Sequence, residues 1–418
     1  MGNSTGYEAN LIKPGLAGKA WIWRVMLSIF AGNTAIFVVN LAVLQVLLPT
    51  QIELLDPVRK VETLGMVTGI AALIAIIANP LAGMLSDKTV SRFGKRTPWL
   101  VGGAIAVLGA VTFLAEQTAV FGIVVGMCLL QAAMNSFQAA IFAIVPDRIP
   151  SRLRGLASSM MGIAFPAGSV IGMTVAAKMS ASPATYYLLG GLFLSVALLF
   201  VLINPDNPSK RVMTHSSSIS LRTFFSALSH RDFFWVFLSR LAMVIAFMTL
   251  AGYQFYLLKD YINLPAALSP TDALVQINFY SMIAMAIATL GGGALSDWIG
   301  RRRILVFMSA ALMSIAAVIP YLMPTFEGML IFGVINSLGF GCYMAVDAAL
   351  ATEVLPSPDD QARDLGVMNI ASAAAQVVSP MIASIVIVNF GGYSTLLIFS
   401  AACAMVSALS IYGVKCVK

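Results

Sequence analysis

The sequence predicts an all-α polytopic membrane protein, with about twelve transmembrane helices in two pseudo-symmetric halves of six. Three observations lead to this fold class: the chain is very apolar, its apolar runs are long, and one short basic motif recurs half a chain later. Of the 418 residues, 59% are hydrophobic and only 10% are charged, whereas soluble domains are about 25% charged. No aqueous core could bury that much apolar surface.

Charge-free intervals mark the candidate helices, because a helix needs about twenty apolar residues to cross the hydrocarbon layer. Those of the first half are 22–48, 64–85, 99–114, 120–145, a segment from the polar loop 147–154 to 177, and 186–203. Those of the second half are 233–258, 274–295, 304–322, 329–355, 365–388 and 394–414. The chain thus divides into a first bundle (1–203), a cytoplasmic linker (204–232) and a second bundle (233–418). Pro146 and Pro356 are each expected to close the fourth helix of their half.

The distribution of cations predicts that both termini are cytoplasmic. In that orientation all but five of the 25 Lys and Arg residues lie on the cytoplasmic face, as the positive-inside rule requires. The exceptions are Arg59, Lys60, Lys178 and Lys259 outside, and Arg240 within a helix. The net charge of +7 therefore reflects topology beside anionic lipid, and we expect the lipid bilayer rather than nucleic acid as the partner.

The residues that carry cofactor or enzyme chemistry are sparse. The four cysteines fit neither a disulfide framework nor a zinc site, so we expect no cofactor and no metal. Both histidines, His215 and His230, lie in the linker, and no nucleophile–base arrangement appears. We therefore expect no enzymatic step and no catalytic residues.

Two basic loops carry the repeated motif. Its residues are Gly83, Asp87, Gly94, Lys95 and Arg96 in the first copy, and Gly293, Asp297, Gly300, Arg301 and Arg302 in the second. Together with the two halves and the helix count, this motif resembles the signature of the major facilitator superfamily. The longer first copy is similar to the sugar–cation symporter (glycoside-pentoside-hexuronide-like) branch. The acidic residues that bind sodium in that branch have no counterpart here, because Asn79 and Asn135 are neutral.

The resemblance implies a secondary active transporter that works by alternating access. Two rigid halves would rock around a central cavity lined mainly by the first, fourth, seventh and tenth helices. Asp87 is placed to accept hydrogen bonds from backbone N–H groups or from Arg96, which would hold the cytoplasmic side closed. We therefore predict that the ten motif residues form a cytoplasmic gate. The alternative is a plain positive-inside loop with an interfacial Asp.

Two charged residues inside predicted helices are candidates for proton coupling. Charges within the bilayer are costly and by default indicate function. Asp347 in the tenth segment and Arg240 in the seventh lie near the same membrane face, so we expect them to pair, with Asp347 loading and releasing a proton. The alternatives are a static ion pair for Asp347 and snorkelling to the interface for Arg240.

Stripes of amides and tyrosines on the four cavity helices are predicted to bind the solute. These residues are Asn33, Asn40, Gln131, Asn135, Gln138, Tyr253, Gln254, Tyr256, Asn336 and Tyr343. The alternative, which the sequence supports equally, is that they join helices by hydrogen bonds worth about 1 kcal/mol each.

Together these features predict proton-coupled symport of a small polar or sugar-like solute, by a monomer in a bacterial inner membrane. The alternative in the same fold is an exporter of drugs or metabolites by proton antiport. A cavity dominated by Asn, Gln and Tyr would favour the symporter, and one dominated by Phe and Met the exporter. A transporter-like sensor is a third possibility and would predict a sizeable soluble domain, which neither the tails nor the linker supplies.

Overall fold

The structure, a computed structural model, describes residues 16–179, 182–206, 228–354 and 361–414. Within these ranges twelve helices are long and apolar enough to cross a membrane. The only extended pairing found there is an isolated bridge between Asn263 and Thr325. The prediction of an all-α polytopic membrane protein is confirmed.

The twelve helices are numbered α1 to α12 in chain order. Helix α1 consists of Leu16–Ala42, a π-helical turn Val43–Leu47 and a final stretch Leu48–Leu55. The others are α2 Lys60–Lys88, α3 Thr97–Ala115, α4 Val120–Arg148, α5 Ser151–Met179, α6 Pro183–Ile203, α7 Arg231–Asp260, α8 Pro270–Ile299, α9 Arg302–Leu322, α10 Phe326–Glu353, α11 Gln361–Asn389 and α12 Tyr393–Ser410. Most extend beyond the charge-free intervals that predicted them.

The end of α4 corrects one expectation. Pro146 lies inside this helix, which continues to Arg148, so Pro146 does not close it. Proline has a helical φ and removes only one backbone hydrogen bond, a loss that is tolerated near a helix end. Arg154 stabilises this end, because its guanidinium donates to the carbonyl oxygens of Pro146 (3.0 Å) and Ile149 (3.1 Å). Pro356 lies outside the described residues.

The two halves repeat one packing plan. In the first half, α1 packs on α5 and α6, α2 packs on α4, and α3 packs on α4 and α6. In the second half, α7 packs on α11 and α12, α8 packs on α10, and α9 packs on α10 and α12. Each contact of the first half therefore has its counterpart six helices later. Two further contacts join the halves, α2 with α11 and α5 with α8, and they too are related by the same symmetry.

The two ends of the bundle differ in the loops they carry. We call the end with loops 89–96 and 300–301 the basic-loop end. The opposite end, where α1 and α7 finish and α2 begins, is the far end. The described part of the predicted linker, residues 204–206 and 228–230, adjoins the basic-loop end, and residues 207–227 lie outside the described residues.

Candidate functional site

A cavity lies where the two halves meet, between α1 and α5 on one side and α7, α8 and α10 on the other. The cavity has a volume of about 90 Å³, and roughly 780 Å³ when the space at its open side is included. Among the described residues that line it, none is charged. The polar ones are Gln45, Ser169, Gln254, Asn278, Ser281, Asn336 and Ser337, and the large apolar ones include Phe165, Phe247, Phe332, Met282, Met285 and Met329.

Two of the ten residues predicted to bind the solute line this cavity, Gln254 of α7 and Asn336 of α10. Three others form hydrogen bonds between or along helices instead. Asn135 donates from its side chain to the Gln131 carbonyl at 2.9 Å and accepts from Asn79 of α2 at 3.3 Å. Asn33 of α1 donates to the Met161 carbonyl of α5 at 3.1 Å. Asn33 and Asn135 thus join helices, which was the alternative interpretation, whereas the bonds of Gln131 stay within α4.

The remaining predicted binding residues also lie away from the cavity lining. Tyr253 and Tyr256 are buried at the far end, where their hydroxyl groups bond to backbone carbonyl groups. Tyr343 is fully buried within the second half, with its hydroxyl 3.5 Å from that of Ser239. Asn40 and Gln138 are half-buried on α1 and α4.

Three of the five polar lining residues that were not predicted come from α5 and α8, two helices that the resemblance did not favour. They are Asn278 and Ser281 of α8 and Ser169 of α5. A signal for them was present, because Asn278 and Ser281 are polar side chains in an otherwise apolar span, three residues apart and therefore on one helix face. Gln45 of α1 is likewise a polar side chain in an apolar span.

The two charged residues predicted for proton coupling form a pair in the structure. Arg240 donates to Oδ2 of Asp347 from both Nε (2.7 Å) and Nη2 (2.5 Å). The Asp347 side chain is 2% exposed and that of Arg240 is 12% exposed. Oδ1 of Asp347 is buried and forms no hydrogen bond of regular geometry among the described residues, although the Tyr343 side chain is a further polar neighbour of the carboxylate. The carboxylate therefore has one bonded oxygen and one oxygen that can hold a proton.

Aromatic rings lie between this ion pair and the cavity. Phe247 and Phe340 stack face to face with their ring centroids 4.0 Å apart. Phe247 also lines the cavity and lies two turns from Arg240 along α7. Phe340 lies two turns from Asp347 along α10. A movement of α7 against α10 would therefore reach the ion pair and the cavity together.

The far end of the molecule is sealed by contacts between the two halves. The Tyr253 hydroxyl of α7 lies 3.0 Å from the carbonyl oxygen of Val61 in α2 and 3.1 Å from that of Pro380 in α11. The Tyr256 hydroxyl donates to the Pro49 carbonyl of α1 at 2.7 Å. Gly65 permits the close approach of α2 and α11, because a Cβ atom there would lie 2.7 Å from Cβ of Ser384.

An ion cluster bridges the halves at the same end. Lys60 of α2 lies 2.8 Å from both Glu53 of α1 and Asp260 of α7. Lys259 of α7 lies 2.6 Å from the second oxygen of Glu53. Tyr393 donates to Asp260 at 2.9 Å. Positive and negative groups of both halves thus alternate in one cluster, which we call the far-end ion cluster.

The first basic loop forms a compact cluster within the first half. Arg96 is nearly buried, and its guanidinium donates to Asp87 at 2.6 Å, to Ser86 at 2.9 Å and to Asp147 of α4 at 3.0 Å. Lys95 also pairs with Asp147, at 3.1 Å. The expected contact between Arg96 and Asp87 is therefore present. These bonds tie α2, α3 and α4 together, and the gating role stays a prediction.

Each basic loop contains a glycine with a positive φ angle, a backbone conformation that other residues rarely adopt. Gly94 has φ of +88° and a Cβ atom there would collide with Asp206, whose carboxylate accepts from the Arg96 backbone N–H at 3.1 Å. Gly300 ends α8 in the left-handed conformation, with φ of +63°. Gly83 faces Ala139 of α4 at van der Waals distance.

The second basic loop also forms contacts within its own half. Arg302 lies at the start of α9 and donates to the Ala349 carbonyl of α10 at 3.4 Å. Arg301 lies at an exposed groove beside Tyr412. The side chain of Asp297 and the local surroundings of Gly293 lie outside the described part of the chain.

Comparison with known proteins decides the family. The family model described as Major Facilitator Superfamily matches residues 25–276 and 267–415. The chain belongs to the major facilitator superfamily. Its family and fold are those of membrane transporters.

One relative that the chain matches is distant in sequence. Lactose permease from Leuconostoc lactis is 24% identical over 239 residues, which is 49% of this chain and 37% of that permease. The chain thus aligns with little more than a third of that relative's length.

Solved structures share the fold. The nucleoside transporter NupG superposes with a TM-score of 0.72 at 15% identity, over 93% of this chain and 98% of NupG. A bacterial homologue of the human lysosomal transporter Spinster, in an inward-facing and unoccupied conformation, superposes with a TM-score of 0.70 at 13% identity, over 95% of each chain. At these identities the likeness concerns the fold alone.

Proposed function

We propose that the protein is a proton-coupled symporter that takes a small, uncharged, polar solute across a bacterial inner membrane as a monomer, with both termini in the cytoplasm. The observation that carries this proposal is the cavity between the halves. It has amides and hydroxyl groups from both halves and no charged side chain among its described lining residues. Such a site recognises a solute by hydrogen bonds and apolar contact rather than by charge.

The cavity communicates with one side of the membrane at a time. The far end is sealed by Tyr253, Tyr256 and the far-end ion cluster. Gln45 and Gln254, which line the cavity, lie within about one helical turn of the sealing contact between Pro49 and Tyr256. Entry and exit in this state therefore occur toward the basic-loop end, which is the cytoplasmic side in the predicted orientation. In the opposite state the motif residues close that end as a gate.

Proton coupling rests on Asp347. Its carboxylate is buried, paired with Arg240 through one oxygen only, and two turns from the aromatic stack beside the cavity. A proton on Asp347 competes with Arg240 for this carboxylate. Protonation would therefore loosen the contact between α7 and α10, the two helices that also carry Gln254 and Asn336.

An exporter of amphipathic metabolites by proton antiport is the second candidate. Three Phe and three Met residues line the cavity, against four Asn and Gln residues and no Tyr among its described lining residues, and this excess of Phe and Met favours the exporter by the criterion given above. The lack of a carboxylate among the described lining residues disfavours cationic drugs as the exported compounds, because a buried cation needs a negative partner.

The two candidates differ in the sign of proton movement. The purified protein is reconstituted in liposomes with a dilute buffer outside, and sugars, small acids or cationic dyes are added outside. A symporter draws protons inward with the solute, so the external pH rises. An antiporter releases protons outward, so the external pH falls.

Two variants complete the test. Asp347→Asn should abolish the proton movement, and Glu327→Gln, which changes an exposed acid in the first turn of the same helix, should preserve it. External alkalinisation by an uncharged solute, lost in Asp347→Asn alone, supports the proposal. Absence of any solute-driven proton movement in the wild type, or movement that persists in Asp347→Asn, contradicts it.

A further inference from the structure

The first helix contains an irregular turn at the level of the cavity. Residues Val43–Leu47 form a π-helix, and the N–H of Leu48 donates to the carbonyl of Val43, five residues earlier. A π-turn adds one residue to the regular spacing and so rotates the following side chains around the helix axis. Such turns occur mostly as single insertions in α-helices and often at functional sites.

Gln45 lies at the centre of this turn, and its side chain lines the cavity. Its amide oxygen, Oε1, is buried and has no hydrogen-bond partner among the described residues. A buried acceptor without a donor is unfavourable, and most buried amides avoid this by bonding to a neighbour. The local fold therefore holds an acceptor in the cavity that the protein itself does not satisfy.

A second glutamine in the same helix shows the contrast. The side chain of Gln51 is bonded at both ends: its Nε2 donates to the carbonyl oxygens of Leu114 (2.9 Å) and Gln117 (3.1 Å). Its Oε1 accepts from the Tyr186 hydroxyl at 2.8 Å. The side chain of Gln51 is thus fully hydrogen-bonded within the protein, whereas the amide oxygen of Gln45 has no hydrogen-bond partner among the described residues.

Asn278 of α8 lies across the cavity from Gln45 and also has an amide oxygen that can accept a hydrogen bond from a solute. Its Nδ2 donates one hydrogen bond to the Leu274 carbonyl at 2.9 Å, which leaves its oxygen and its second N–H for a solute. The side chains of Gln45 and Asn278, from opposite halves, therefore line one cavity whose described lining residues carry no charge. A solute that bridges the two amide oxygens donates hydrogen bonds to them, through hydroxyl or N–H groups.

We propose that Gln45, positioned by the π-turn, is a specificity-determining residue of the first half, and that its Oε1 accepts a hydrogen bond from a hydroxyl or N–H group of an uncharged solute. This inference rests on the proposed transport function. A contact with each half is also what lets a solute favour one conformation over the other, because a ligand shifts an equilibrium only through differential contacts.

Binding rather than transport tests the inference. Uncharged glycosides and nucleosides, with carboxylic acids and cationic dyes as comparison compounds, are added to the purified full-length protein, and the rise in Tm with concentration gives an apparent Kd. Gln45→Met keeps the length of the side chain and removes the acceptor. Gln51→Met is the matched control in the same helix.

The two variants should behave in opposite ways. We expect Gln45→Met to weaken binding of the uncharged compounds about tenfold, which is the effect of one hydrogen bond, while the Tm without solute stays equal or rises. Gln51→Met should lower that Tm and leave the apparent Kd unchanged. An analogue methylated at the hydroxyl that Gln45 contacts should bind the wild type and Gln45→Met equally.

Two results would overturn the inference: wild-type protein stabilised only by charged compounds or by none, or Gln45→Met with wild-type affinity for the uncharged ones. These results are distinguishable from a failure of the proposed function. If uncharged solutes bind through Gln45 but drive no proton movement in liposomes, the transport proposal fails and the binding site stands.

Discussion

Asp347 and Arg240 are two charges that neutralise each other inside the second half of the protein. Removing one member of a buried pair costs about 3–5 kcal/mol, whereas replacing both by neutral groups is often tolerated. We therefore expect Asp347→Asn to lower the Tm of the purified protein, and the double variant Arg240→Gln with Asp347→Asn to recover most of the loss. Differential scanning fluorimetry would measure both effects.

The double variant distinguishes the two possible roles of Asp347: a site that carries the coupled proton, or one member of a static ion pair with Arg240. If Asp347 carries the proton, the double variant is stable but moves no protons with the solute. Solute-driven proton movement in a stable double variant would show instead that the pair only holds α7 against α10.

At the scale of elements, the contact of α2 with α11 is the surface that must part when the far end opens. A Cβ atom on Gly65 would lie 2.7 Å from Ser384 and 2.9 Å from the Pro380 carbonyl, so Gly65→Val should force the two helices apart. Gly102→Val is the matched control, because a Cβ atom at Gly102 has no neighbour within 4 Å.

The separation can be measured at Ser384, which is buried in this contact. In a background without the native cysteines, we expect Ser384→Cys to react with a maleimide reagent faster when Gly65→Val is present. The Gly102→Val protein should react at the original rate. Equal rates in all three would mean that α2 and α11 are not the sealing surface.

The far-end ion cluster should contribute more weakly to the same seal. Glu53→Gln leaves Lys60 with Asp260 but removes the group shared by Lys60 and Lys259. Partly exposed pairs contribute about 0.2–1 kcal/mol each, so we expect the loss of both pairs of Glu53 to raise the rate of maleimide labelling at Ser384→Cys by about two- to thirtyfold. Glu62→Gln, an exposed acid in the first turn of α2, should leave the rate unchanged.

At the scale of the whole molecule, the twelve helices and their two halves could be predicted because a backbone in hydrocarbon must satisfy its own hydrogen bonds. Length and charge then determine the number of helices. The helix ends were less predictable, because charged residues mark the membrane surface rather than the end of the helix. The end of α4 beyond Pro146, supported by Arg154, is an example.

The ion pair could be predicted from the sequence and most of the cavity could not. A charge in an apolar helix needs a partner at the same depth, which leaves few choices for Asp347. An uncharged amide binds a solute or a neighbouring helix equally well, and Asn135 bonds to Asn79 and Gln131. Gln45, which lines the cavity, lies in a π-turn of α1, and hydropathy carries no sign of such a turn.

The proposed transport function predicts a second state in which the far end opens and the basic-loop end closes. Four exposed positions report on this exchange: Leu54 and Phe390 at the far end, and Val90 and Trp298 at the basic-loop end. Each pair has one member in each half. The distance within each pair is measurable by pulsed electron resonance between spin labels on the protein in lipid nanodiscs.

The most direct test of alternating access is to measure both distances in the wild type and in Gly65→Val. We predict that Gly65→Val lengthens the distance between labels at Leu54 and Phe390 and shortens that between labels at Val90 and Trp298, while Gly102→Val changes neither. Lengthening at the far end with no shortening at the basic-loop end would contradict the account, because the two ends would then move independently.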